Sequence, residues 1–321
     1  MHQFEKLQAN FETYFSGSHF PAQPSTLYGP CEYFLALGGK RVRPVMCLMG
    51  NELFDEINPD AYHVASAVEL FHNFTLIHDD ILDRAPLRRG KPTVHALHGE
   101  STALLAGDVV LVVAYEELNR IDSRYLKPII ALFNKTAKEV CEGQQLDMDF
   151  EKENDLTLDR YLHMISLKTS VLLAASLQMG AILGGAGEGN QQHIYEFGRN
   201  LGIAFQVQDD YLDAFGDPEK FGKQVGGDIR ANKKTFLMIH ALETASPAQH
   251  KELERLMGQD GDDKVVRVLD LFRETGIDQW ARELKDHYLT EALQHLDEIA
   301  VLGNRKEPLK RLAHYLVQRD K

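Results

Sequence analysis

The sequence predicts an all-α protein, a single large helical domain spanning residues 1–321. Three observations lead there. Apolar residues recur at helical period through nearly every segment: from Asp60 onward Val64, Val68, Phe71, Phe74, Ile77 and Leu82 form one stripe. Helix-start signals repeat, as in Asn58-Pro59-Asp60, Thr157-Leu158-Asp159 and Ser246-Pro247. Strand signals are scarce. The β-branched run at 109–113 lies between Ala- and Leu-rich flanks, which favour a buried helix over a lone strand. The pattern implies roughly a dozen helices around one core.

The breaks between helices are clusters of glycine and charge. They fall at 38–40, 84–92, 184–189, 216–228 and 258–264, and none is long or biased enough to be an interdomain linker. Pro44, just past the first cluster, suits the first residue of a helix.

Composition excludes several classes of function. The chain carries 35 Lys+Arg against 48 Asp+Glu, a net charge of −13, so it is no nucleic-acid binder of the generally basic kind. Its 44% hydrophobic and 26% charged residues are those of an ordinary soluble globular protein. Three cysteines without CxxC spacing make neither a disulfide framework nor a zinc knuckle, and favour a reducing, cytoplasmic setting. The first residues lack the apolar stretch of a secretory signal. The most apolar run, 171–187, falls short of the roughly 20 residues that span a bilayer, so the chain is expected not to be transmembrane.

The chemistry gathers in two matching pentapeptides, Asp79-Asp80-Ile81-Leu82-Asp83 and Asp209-Asp210-Tyr211-Leu212-Asp213. On a helix, residues i and i+4 lie about 40° apart in projection and about 6 Å apart along the axis. Carboxylates so placed repel unless a cation sits between them. Oxygen ligands without His or Cys suit a hard cation, Mg²⁺ before Zn²⁺. Apolar segments lead into both motifs, placing them at the edge of a core, where uncompensated charge is costly.

The scarce cations concentrate in loops. Gly38-Gly39-Lys40-Arg41-Val42-Arg43-Pro44 comes first, and Arg88-Arg89-Gly90-Lys91 follows the first acidic motif. Lys223 and Asn232-Lys233-Lys234-Thr235 follow the second. Glycines let backbone N–H groups approach phosphate oxygens, and Arg adds a bidentate fork. The combination fits a substrate that carries Mg²⁺-chelated diphosphate. No basic stripe interleaved with aromatics is present, so nucleic acid fits poorly.

In combination these motifs resemble the trans-isoprenyl diphosphate synthases, the polyprenyl synthetases, of short-chain, geranylgeranyl- or farnesyl-diphosphate-synthase-like type. The likeness runs from about Tyr28 to the C-terminus and includes Gly107-Asp108, Gly143-Gln144 with Asp147, and Lys168-Thr169. It implies an all-α bundle around a central apolar cavity, usually a homodimer. It also implies three Mg²⁺ ions on Asp79, Asp83 and Asp209, with Asp80 and Asp213 contributing directly or through water. Asp210 completes the catalytic carboxylates. Arg88, Lys168, Thr169, Gln206, Lys223 and Lys233 would hold the allylic diphosphate (C5 to C15), and Lys40, Arg43, His72 and Arg89 the isopentenyl diphosphate. The implied reaction is head-to-tail condensation. One departure stands out: the family usually has Gly-Lys where this chain has Asn232-Lys233, and Lys234 competes for the same role.

The growing product should run from Asp79 toward the N-terminus of its helix. Phe74 lies about 7.5 Å back along the axis, and Phe71 about 4.5 Å beyond that. A ring at Phe74 would form a floor and Thr75 would leave room beside it. By family resemblance this suggests a short product, with C20 favoured and C15 as the alternative. A terpene cyclase needs no second diphosphate site, and a silent subunit of a heteromeric synthase usually lacks one acidic motif. Both motifs are intact here.

Overall fold

The computed structural model describes residues 1–153, 155–216, 225–259 and 261–318. These form two compact units, one of residues 1–133 and 176–191, the other of residues 134–175 and 192–321. Lys223 lies outside the described residues. The fold is all-α, as the periodicity predicts.

The first unit begins with α1 (His2–Phe15), α2 (Ser25–Ala36), α3 (Val42–Glu52) and α4 (Asp60–Leu82). A ribbon of β1 (Leu87–Arg88) and β2 (Lys91–Pro92) leads to α5 (Val94–His98), α6 (Glu100–Leu118) and the start of α7 (Ser123–Phe150). Helix α4 is its centre, packed on α3 and α6, with α2 against α6 and α1 against α3. Val64, Val68, Phe71 and Ile77 of the expected stripe are at most 1% exposed. Leu82, expected to join them, stands 50% exposed where α4 ends. Pro44 is the third residue of α3, because Arg41 takes the N-cap in a left-handed conformation. The run at 109–113 is helical within α6, with Val110 and Val113 buried, but Val112 is turned outward.

The second unit holds the rest of α7, then α8 (Leu158–Ile165), a π-helical turn (Ser166–Ser170) and the start of α9 (Val171–Leu183). Most of α10 (Glu188–Phe215) follows, then α11 (Gly227–Arg230), α12 (Phe236–Thr244), α13 (Pro247–Met257), α14 (Asp262–Glu274), α15 (Ile277–Glu298) and α16 (Gly303–Val317). Its core gathers Phe150, Tyr161, Val207, Phe236 and Phe272 among others. The Ser246-Pro247 signal becomes a capping box: Gln249 N donates to Ser246 Oγ, and Ser246 N to Gln249 Oε1.

Leu158–Leu183 is one continuous helical stretch of 26 residues, longer than the run at 171–187 suggested. By length and composition it could cross a membrane. Its most apolar window is 67% buried inside the protein, however, the position of a core helix.

Candidate active site

In the first unit the basic elements surround the C-terminal half of α4. The segment Arg88-Arg89-Gly90-Lys91 is a two-residue hairpin, with Arg88 paired to Lys91. Arg89 (φ 53°) and Gly90 (φ 73°) both take positive φ, as this kind of turn requires. Arg88 Nε donates to Asp80 Oδ1 and Oδ2 at 2.8 and 3.0 Å, and its Nη2 lies 2.8 Å from Oδ1. The Arg89 guanidinium lies against Gly39, where an added Cβ would sit 3.0 Å from Nη2. A side chain at position 39 would displace it.

Helix geometry sorts the first acidic motif. Asp79 and Asp83 share a face, while Asp80 is rotated by about 100°. Asp80 is 1% exposed and is held by Arg88; the Asp79 side chain is 20% exposed and Asp83 is exposed. Arg88 Nη2 also comes within 3.7 Å of Asp79 Oδ2.

His72 sits deep among Arg41, Arg43, Arg88 and Arg89. Burial and these four cations hold its pKa well below the ordinary value, so the ring is neutral at pH 7. Its Nε2 accepts from Arg43 Nη1 at 3.1 Å. Burial lowers Arg43 to about 10, still charged at neutral pH. Arg43 Nε and Arg41 Nε are buried without a partner among the described residues, leaving donor capacity for an anion. Lys40 is exposed. The structure therefore brings Arg43, His72 and Arg89 together. Arg41, absent from the sequence-predicted set, belongs with them through an ion pair to the buried Glu69. No local pattern marks Glu69, because its partner is 28 residues away.

Phe74 is half-buried on the same helix, its ring 5.6 Å from Phe71 and 4.7 Å from His78. Phe71 is 1% exposed and packs edge-on against Phe133 at 5.3 Å. Thr75 Oγ1 is occupied by the His72 carbonyl at 2.8 Å.

The second unit repeats the sorting. Asp210, the residue rotated off the i, i+4 face, is 6% exposed and accepts from Gln206 Nε2 at 2.8 Å and Tyr161 Oη at 3.0 Å. Burial, with Asp228 and Asp209 nearby, pushes Asp210 up to about 7 despite those two donors. Asp209 and Asp213 are half-buried. Asp213 Oδ2 accepts from Asp228 N at 2.9 Å, and a Cβ on Gly227 would lie 2.9 Å from Asp213 Oδ1. Only glycine lets the loop approach that carboxylate so closely.

The π-helical turn carries Lys168 and Thr169. Lys168 Nζ reaches Asp147 Oδ2 at 2.5 Å, and Thr169 Oγ1 lies 3.5 Å from Gln206 Oε1. Gly143 makes room for the turn, since a Cβ there would fall 2.4 Å from Lys168 N. Such turns expose backbone and recur at functional sites.

The Asn232 departure has a physical explanation. Asn232 adopts φ 56°, a left-handed conformation that Gly fills easily and Asn tolerates better than most residues. Its Oδ1 accepts from Lys264 Nζ at 2.5 Å, and Lys264 is 3% exposed on α14. Lys233 Nζ then lies 3.5 Å from Asp228 Oδ1 and feels the charges of Asp147 and Asp210. Lys234 turns away to the carbonyls of Glu151 and Glu153. Of these two lysines it is Lys233 that stands beside Asp228.

Among the described residues no three acidic, His or Cys side chains converge on one point. Mg²⁺ is usually held by one or two carboxylates together with substrate phosphates and water, not by an all-protein cage. Paired carboxylates beside basic loops therefore fit ions that arrive with a diphosphate.

The polyprenyl synthetase family model matches residues 24–272. A short chain isoprenyl diphosphate synthase of Methanothermobacter thermautotrophicus is 38% identical over 92% of this chain and 91% of its own. A geranylgeranyl diphosphate synthase of Saccharolobus solfataricus is 38% identical over 90% and 89%. The crystal structure of a geranylgeranyl pyrophosphate synthase superposes with a TM-score of 0.94 at 42% identity, covering 99% of each chain. With two intact acidic motifs, their basic loops and these relatives, the chain belongs to the polyprenyl synthetase family.

Proposed function

We propose that this prenyltransferase condenses isopentenyl diphosphate head-to-tail with an allylic diphosphate of C5 to C15, to give a C20 trans-prenyl diphosphate. The observation that carries the reading is the cluster of Arg43, Arg88 and Arg89 around neutral His72, about two turns from Asp79 and about three from Asp83. It supports one anion held by protein cations beside carboxylates suited to metal. Mg²⁺, on Asp79, Asp83 and Asp209 with Asp213, would stabilise negative charge on the departing diphosphate.

The protein groups divide the remaining work. Lys40, Arg43 and Arg89 hold isopentenyl diphosphate by charge, and neutral His72 keeps the Arg43 fork oriented. Arg88, Lys168 and Lys233 donate to the leaving diphosphate, with Thr169 and Gln206 beside them. Such preorganised donors lower the barrier where charge develops. Holding the double bond close to the allylic carbon supplies the second contribution. Asp80 and Asp210 act as positioning carboxylates. The test is turnover of the purified chain with Mg²⁺, isopentenyl diphosphate and each of the C5, C10 and C15 primers, with products resolved by length. A ladder ending at C20 supports the reading, and no turnover with any primer overturns it.

Phe74 is the proposed floor for the product, supported by its half-buried ring; Phe71 backs it from the core. Phe74→Ala should shift products beyond C20. An unchanged distribution in a fully active variant would remove Phe74 from this role.

We further propose that residues 1–321 act as one synthase domain, in the cytoplasm, as a homodimer. The family match runs through segments of both units, and all three cysteines are free thiols. The dimer is supported by an exposed apolar strip on α6: Leu104, Leu105, Val112 and Tyr115 are 36–57% exposed. Residues 105, 112 and 115 follow a heptad seam, which suits pairing with a second copy. Val112→Asp should halve the mass measured by sedimentation.

A further inference from the structure

Four arginines crowd the C-terminal half of α4, and their mutual repulsion needs a buried counter-charge. Asp80 supplies one through Arg88. The other is Glu69, whose side chain is 4% exposed and pairs with Arg41 Nη1. Asn73 Nδ2 fixes that carboxylate by donating to Glu69 Oε1 at 3.2 Å and to the Glu69 carbonyl at 2.6 Å. Glu69, His72 and Asn73 stand at i, i+3 and i+4, so a single face of α4 presents all three.

Arg41 is unusual in its backbone as well. It is the N-cap of α3 at φ 50°, a conformation costly for a long side chain, and its carbonyl accepts the first-turn hydrogen bond from Val45 N at 3.2 Å. Its guanidinium lies 5.4 Å from the Phe15 ring centroid. A conformation this costly needs contacts to hold it, and the ion pair to buried Glu69 reaches Arg41 from outside the loop. Lys40 precedes Arg41, and Arg43 follows two residues on as the second residue of α3, so whatever fixes Arg41 bears on the directions in which both leave the chain.

We propose that Glu69 is a positioning residue for the isopentenyl diphosphate site, holding Arg41 in its left-handed conformation and so setting the Lys40–Arg43 loop for diphosphate. This rests on the functional reading above. Glu69 touches no substrate; it acts through Arg41. Removal of its charge therefore loosens one diphosphate site and leaves the allylic site alone.

The test compares wild type, Glu69→Gln, Arg41→Asn and the double variant. Asn tolerates the left-handed backbone while removing the ion pair. Glu69→Gln should raise KM for isopentenyl diphosphate about tenfold, with kcat and the allylic KM unchanged. Arg41→Asn, which also removes the Arg41 Nε donor, should raise it at least as much, and the double variant should be no worse than Arg41→Asn alone. Fully additive effects, an unchanged KM, or a fall in kcat at unchanged KM overturns the proposal. If Glu69→Gln does not fold, by thermal melt, Arg41→Asn carries the same expectation. Calorimetric binding of inorganic diphosphate in EDTA provides a readout independent of turnover. Weaker binding in the variants supports the proposal even if wild type turns over no prenyl substrate, which would sink only the functional reading. Equal diphosphate affinity in wild type and both single variants overturns it.

Discussion

Asp79→Ala should lower turnover by about a hundred- to a thousand-fold, the loss expected when one charge-stabilising group of a transition state is removed. Its melting temperature should stay close to wild type, because the Asp79 side chain is 20% exposed at the end of α4. Asp80→Ala, one residue on, should behave differently. The Asp80 side chain is 2% exposed, and both its oxygens accept from Arg88. Removing one partner of a buried ion pair strands the other, at a cost approaching about 3 kcal/mol. Arg88 is 24% exposed, so water relieves part of that cost. Asp80→Ala should therefore lose stability as well as activity. Steady-state turnover and thermal melts of both variants check the contrast. Equal destabilisation would show that the two carboxylates are not divided between metal and scaffold as their rotation on the helix implies.

Gly180→Ala should be the most damaging single methyl in the first unit. An added Cβ would lie 1.9 Å from the Cys47 carbonyl oxygen and 2.8 Å from Asn51 N. Gly50 on α3 faces the same contact, 2.3 Å from the Leu177 carbonyl oxygen. The obstacles are backbone atoms of helices, so no rotamer change can relieve the clash, and the helices must separate. Overpacking of this kind costs about 3 kcal/mol. The melting temperature should fall by about 4–5 °C. Gly187→Ala is the control, since nothing lies within 4 Å of its Cβ position, and it should melt with wild type. A Gly180→Ala protein as stable as that control would mean that the two helices can separate at no cost.

Much of the site was legible in the chain because helices impose their own spacing. The stripe from Val64 to Ile77 found the central helix, and the i, i+4 pairs found the carboxylates that share a face. Local pattern failed where the local cue was weak. The Arg89-Gly90 hairpin was missed because two-residue strands carry no periodicity, only a glycine at a positive φ. Leu82 left the stripe because α4 ends there and the chain turns to the ribbon. Val112 left the buried set because periodicity shows which residues share a face, and packing decides whether that face is covered.

The sequence by itself determined an all-α chain with two acidic motifs on helices and basic loops beside them, the motifs that carry its resemblance to the polyprenyl synthetases. Periodicity, capping and spacing are short-range properties, written within a few residues of one another. Tertiary structure alone decided the pairings: Arg88 with Asp80, Glu69 with Arg41, Lys264 with Asn232, and Lys233 rather than Lys234 beside Asp228. Several of these partners are distant in sequence, and each pairing depends on which side of a turn or helix a side chain leaves the backbone. Charge composition names the ions, and only the packed helices choose which of them meet.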